Sequence, residues 1–171
     1  LDKLTDKTIY LGLKSIKGMP RDFAYWILEN RPFSSVEDFV TRLPKNYQKL
    51  SLLTPLVEIG LFDSFEKNRQ KILSNLPTLF IFVEELGSLF ADNSYNWLES
   101  EDFTQVEKFR KEQEWLGVGI SPHPLLILAK NPLYPIVSLS ELSEGQTATV
   151  LVELQSIRVI RTKKGENMAF L

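Results

Sequence analysis

Cysteine is absent from the 171 residues and histidine occurs once. The first lack excludes disulfides and thiolate metal sites and is compatible with a reducing compartment. The second leaves too few nitrogen ligands for a zinc site. Long apolar runs are also missing: the nearest approach, Leu79 to Val83, is far too short for a membrane span and meets Glu84-Glu85. Nor is there an excess of positive charge, and a formal net charge of -2 argues against a uniformly basic nucleic-acid coat. No membrane partner and a cytoplasmic location are therefore expected. With no signal peptide, no initiating Met and a last stretch, Met168 to Leu171, that reads as mid-strand, the chain is expected to be a piece of a longer protein.

Chemistry-bearing clusters are equally scarce. Asp92, Glu99, Glu101 and Asp102 form an acidic run that reads as solvated, and no carboxylates have metal-ligand spacing. His123 sits between two prolines without an Asp, Ser or Cys partner by motif, so a structural hydrogen bond is expected of it rather than general-base work. No catalytic residue, metal ligand or cofactor site is expected.

What is present suits a packed protein: 43% hydrophobic and 11% aromatic residues, enough for one good core and the beginning of a second domain. Charge is uneven. Residues 1–50 carry nine Lys/Arg against six Asp/Glu, residues 51–116 six against twelve, and residues 117–171 five against four. An anion therefore meets the two ends more readily than the middle.

The organising stretch runs from Leu13 to Leu28. Leu13 and Ile16 lie one helical turn apart, Gly18 can take the positive φ of a tight reversal, and Ala24, Ile27 and Leu28 continue the apolar pattern. This is the spacing of two short helices closed by a hairpin at Gly18, a helix-hairpin-helix binder of the DNA backbone. The hairpin would offer N–H groups at the positive end of the following helix, with Lys14, Lys17 and Arg21 around it. Lys14, Lys17, Gly18, Met19 and Arg21 are the candidate backbone-binding residues. Pro20 stands where a second glycine is usual; it suits a first helical turn but has no N–H to give a phosphate. A hairpin that only packs remains the alternative.

Along the chain the pattern predicts a short strand at Thr8 to Leu11, a helix opened by Gly12, and a second over Pro20 to Asn30. A third follows Ser34-Ser35, with Glu37 or Asp38 closing a capping box. A fourth covers about Tyr47 to Ile59 and is kinked by Pro55. Gly60 is expected to end it in a degenerate second hairpin that is structural, with Asp63 or Ser64 capping a helix over Phe65 to Phe90. Residues 91–101 read as a mobile loop, and Asp102 to Leu116 as a helix with a solvated charged face. The fold class is mainly α: a helix-hairpin-helix helical domain over 1–116, a connector over 117–146, and over 147–171 the first strands of an incomplete OB-fold.

Three separated blocks, Ile9 to Gly18, Arg31 to Phe39 and Glu58 to Ser64, resemble the helix-hairpin-helix region of the bacterial DNA polymerase III alpha subunits, the C-family replicative polymerases. Glu114 to Leu125 resembles that family's connector, with Pro122 in place of a glycine, and Ile157 to Leu171 the start of its OB-fold domain. The resemblance implies a segment that grips duplex DNA leaving the active site and leads into a domain near single-stranded template, with Arg158, Arg161, Lys163 and Lys164 as candidate single-strand contacts. It implies other replisome subunits as partners of the parent protein. The family's catalytic aspartates and their magnesium ions lie upstream, so this segment alone is expected to be inactive. Two alternatives stand beside it: a helical protein-interaction module, which exposed Tyr25 and Trp26 would favour, and a helix-hairpin-helix repair enzyme, for which only Asp38 lies near enough.

Overall fold

The structure, a computed structural model, describes residues 3–5, 8–86, 94–128, 139–154, 156–163 and 165–170. It divides into two units, Leu1–Pro122 and His123–Leu171. In the first, an antiparallel pair of strands, β1 (Lys3–Thr5) and β2 (Thr8–Tyr10), precedes α1 (Arg21–Asn30), α2 (Val36–Arg42), α3 (Leu50–Glu58), α4 (Arg69–Leu86) and α5 (Gln105–Leu116). In the second, the short α6 (Pro124–Leu128) precedes an antiparallel hairpin of β3 (Arg158–Arg161) and β4 (Asn167–Phe170), with Arg158 opposite Phe170 and Arg161 opposite Asn167.

The helical unit is built on an apolar core in which Phe23, Val40, Leu53, Leu56, Ile72 and Leu79 have no measurable exposure. With Ile27, Val36, Phe39, Val57 and Leu76 added, the buried positions of α1 to α4 recur three or four residues apart, so each of these helices turns one stripe inward. Aromatic rings tie the first two helices together: Phe39 of α2 stands edge-on to Trp26 of α1 at 5.9 Å, and also to Phe33 at 4.9 Å and to Phe62 at 5.0 Å. Arg42 closes the C-terminus of α1 by donating to the carbonyls of Asn30 and Pro32. At the start of α2, Ser35 Oγ accepts from Asp38 N–H and Asp38 accepts from Ser34 N–H. Asp38 is thus the capping acid, and Glu37 is freed to accept from the Trp97 indole at 2.6 Å.

Several sequence expectations change. The helix expected to open at Gly12 is a single 3-10 turn, Leu13–Ser15. That turn also stacks residues three apart, so the Leu13 and Ile16 spacing is equally at home in it. α3 begins at Leu50, after a separate 3-10 turn at Lys45–Tyr47, and it continues through the buried Pro55. α4 begins at Arg69, not near Phe65, because Asn68 Oδ1 accepts from Lys71 N–H and caps it there. Asp63 does not cap that helix; its carboxylate binds the Arg69 side chain. Residues 94–101 form no regular element, yet Asn75 binds the Leu98 backbone from both ends of its amide, and Tyr95 and Trp97 pack on the core.

The charged face of α5 is not wholly solvated. Glu112 is fully buried and accepts from Arg69 Nη1 at 2.8 Å, from the Ile120 and Ser121 N–H groups and from Ser121 Oγ. Arg69, itself 5% exposed, also donates to the Glu58 carbonyl and to Asp63. Each nitrogen of the guanidinium fork thus faces oxygen. After α5, Gly119 passes so close to Phe109 that an added Cβ would lie 2.1 Å from the ring. Gly119→Ala is expected to cost about 1–3 kcal/mol of stability, read from urea unfolding; an unchanged midpoint would contradict the close approach.

In the second unit, Leu125 N–H donates to His123 Nδ1 at 3.1 Å while Nε2 lies 3.4 Å from a Glu153 carboxylate oxygen. The β-rich reading of Thr147 to Ile160 shortens to Arg158–Arg161, and residues 147–154 carry no regular element. A strand needs a partner, and β4 supplies one for four residues.

Candidate nucleic-acid interface

The hairpin spans Ile16 to Pro20. Ile16 is buried and anchors it, Lys17 and Gly18 are exposed, and Gly18 takes φ 75°, a conformation that a Cβ would strain. Pro20 is the N-cap of α1, with its φ of -64° matching what the ring imposes. Met19 is half-buried against the core. Its side chain therefore packs, and what it can offer a ligand is backbone.

That backbone is largely committed. Lys17 N–H donates to the Trp115 carbonyl at 2.8 Å and Met19 N–H to the Ile16 carbonyl at 3.1 Å. Pro20 has no N–H. Among the described residues, Gly18 N–H is the hairpin amide that no acceptor engages. Beyond it stand the N–H groups of Arg21, Asp22 and Phe23, since the first bond of the helix ladder is Ala24 N–H to the Pro20 carbonyl.

The side chains compensate. Lys14 Nζ lies 5.2 Å from the centre of the Tyr25 ring, and the Arg21 guanidinium 5.5 Å from it with Nη2 3.5 Å from the hydroxyl. Two of the candidate cations thus converge on one exposed aromatic. Arg21 and then Lys14, by hydrogen bonding and charge, pull the Tyr25 phenol below its ordinary range, and the same phenol raises the guanidinium's. Lys17, exposed on the loop, adds a third cation to the hairpin. Tyr25 escaped the sequence reading as a partner of these cations, though its place four residues after Arg21 puts both on one helix face. Trp26, named with it as exposed, instead packs on the core against Phe33 and Phe39.

The second hairpin has most of its amides committed. The N–H groups of Gly60, Leu61 and Asp63 all donate within the chain, to Val57, Leu56 and Gly60, and the Arg69 fork fills the space beside Gly60. Next to this hairpin opens an apolar groove of about 750 Å³, lined in part by the exposed side chains of Tyr10, Leu11, Leu28, Leu61 and Phe65.

In the second unit, Arg158, Arg161 and Lys163 are all exposed on the β3–β4 hairpin. Arg158 and Arg161 fall on opposite faces of β3, an odd number of residues apart. Arg161 Nε donates to the Gly165 carbonyl at 3.2 Å, which draws its side chain over the turn. Lys164 lies outside the described residues. Among the described residues no three His, Asp or Glu side chains converge as a metal site, and no helix is long and apolar enough to cross a membrane.

Residues 2–72 match the helix-hairpin-helix motif family. Over 99% of its length the chain is 54% identical to DNA polymerase III subunit alpha of Streptococcus pyogenes serotype M6, of which it covers 16%. It is 32% identical, again over 99% of its length, to the subunit of the same name from Staphylococcus epidermidis, of which it covers 17%.

Proposed function

Taking the chain as the counterpart of one stretch of DNA polymerase III subunit alpha, we propose that it grips the backbone of duplex DNA without reading sequence and performs no chemistry itself. The observation that carries this reading is the helix-hairpin-helix match over a hairpin where Lys14, Lys17 and Arg21 are exposed together. With Lys17 and Met19 N–H committed and Pro20 lacking one, the cationic side chains supply more of the affinity than the amides. Phosphate contacts position a protein without distinguishing bases. Three or four of them give a log-log salt slope of roughly -3 to -4.

Lys17→Ala or Arg21→Ala is expected to weaken duplex binding equally for all sequences and to make the salt slope shallower by about 1. Fluorescence anisotropy with two unrelated duplexes across a salt series measures both. Absence of binding even at low salt would sink the reading, as would a loss confined to one sequence.

The β3–β4 hairpin is, in the same reading, the opening of an OB-fold, with Arg158, Arg161, Lys163 and Lys164 along the path of single-stranded template. DNA synthesis, its magnesium ions, contacts with other replisome subunits and a cytoplasmic location belong to the longer protein, about six times the length of this chain by the share it covers of its relatives. The apolar groove beside Leu61 favours a second reading, a protein-interaction surface. In that case partner binding is insensitive to salt and indifferent to Lys17.

A further inference from the structure

Given the duplex-backbone reading above, we infer that Trp115 is a positioning residue for the DNA-contacting hairpin, although it lies at the far end of α5, nearly a hundred positions along the chain. Its carbonyl accepts from Lys17 N–H at 2.8 Å, at the loop position whose side chain faces solvent. Trp115 is itself held: its indole N–H donates to Glu58 Oε2 at 2.5 Å, and the other oxygen of that 7%-exposed carboxylate accepts from Lys111 Nζ. One continuous set of hydrogen bonds thus runs from the hairpin through α5 to the end of α3.

Packing does not make this link redundant. An open pocket of about 90 Å³ is lined by the hairpin residues Lys17 and Met19, by Leu52 and Pro55 of α3 and by Trp115. Ile16 and Met19 pack the hairpin on the core, but atoms lining this pocket lose contacts on that side, so packing holds the loop less tightly there. The Lys17 to Trp115 bond is a directional tie at the edge of this pocket. Losing the indole anchor frees the last turn of α5 to shift, and the hairpin with it, so the Lys17 side chain no longer meets the phosphate that Arg21 and Lys14 bracket.

The test is a double-mutant cycle on the full 171-residue chain, with duplex affinity read by fluorescence anisotropy across salt. Trp115→Phe, which keeps an aromatic body and loses the N–H, is expected to weaken binding roughly three- to tenfold and to flatten the salt slope by up to about 1. In a Lys17→Ala background it should add almost nothing, because the contact it organises is already gone. Glu58→Gln, whose amide oxygen still accepts the indole N–H, should bind as the wild type does, whereas Glu58→Leu should behave as Trp115→Phe. Asn75→Ala, which unfastens residues 95–98 on another side of the unit, controls for general destabilisation and should leave affinity unchanged. Wild-type affinity in Trp115→Phe, an equal loss in the Lys17→Ala background, or a matching loss in Asn75→Ala overturns the inference while the duplex reading stands. Failure of the wild-type chain to bind duplex overturns both.

Discussion

Arg69→Ala is expected to lower the unfolding free energy by about 3–5 kcal/mol, read as a shift of the urea midpoint. The magnitude follows from what the substitution strands. Glu112 is fully buried, and without Arg69 its charge keeps only the Ser121 and Ile120 donors. The Glu58 carbonyl also loses its Arg69 donor, and Asp63 its cation. Breaking one side of a buried ion pair is costly because the other side stays buried. The same reasoning predicts that adding Glu112→Leu to Arg69→Ala restores part of the loss but not all. The double change removes the stranded charge, yet the Ile120 and Ser121 amides then lack their acceptor. A loss below 1 kcal/mol in Arg69→Ala would mean that water enters freely where the structure shows a closed network.

How far the sequence discloses this molecule depends on how local each determinant is. Helices α1, α2 and α5 are legible because their stripes and stops sit within a few residues, as do the caps of the first two, Pro20 before α1 and Ser35 with Asp38 at α2; the Thr104–Glu107 capping box starts α5 at Gln105, three residues after the Asp102 expected. The reversal at Gly18 is legible for the same reason. The first helix of the motif is not, since a 3-10 turn and an α-turn bury Leu13 and Ile16 alike. The start of α4 depends on Asn68, a residue equally common in turns. Least legible is the buried network. Arg69, Glu58 and Glu112 read as ordinary surface charges in a region of negative balance, and they meet across separations of 11 and 43 residues with no spacing to betray them. At the candidate site the cations could be named from the sequence. That Lys17 N–H is spent on Trp115 could not, because an amide's partner is a matter of tertiary packing.

That network also sets the acid stability of the helical unit, and Glu112→Gln isolates its share. Burial alone would raise the Glu112 carboxyl, but the Ser121 N–H and hydroxyl, the Arg69 guanidinium and the Ile120 N–H together hold it below its ordinary range. The folded state therefore binds this proton less tightly than the unfolded chain. The resulting stability is complete above the ordinary carboxylate pKa and is lost as pH falls through the folded value. At pH 7, Glu112→Gln is expected to cost about 1.5–3 kcal/mol, the worth of hydrogen bonds to a charged group, because its NH₂ now faces donors. Asp63 still neutralises Arg69, which keeps this loss below that of Arg69→Ala. In acid the gap should narrow, since the wild-type carboxyl takes up a proton that the amide never binds. Asp102 and Glu37, also held below their ordinary range, leave the variant with an acid limb of its own. Unfolding curves at pH 7, 5, 4 and 3 measure the gap directly. A gap that stays constant over that range would show that folding leaves the Glu112 carboxyl at its ordinary range, and a gap that widens in acid would show that the buried group is neutral; either result overturns the charged Arg69 network.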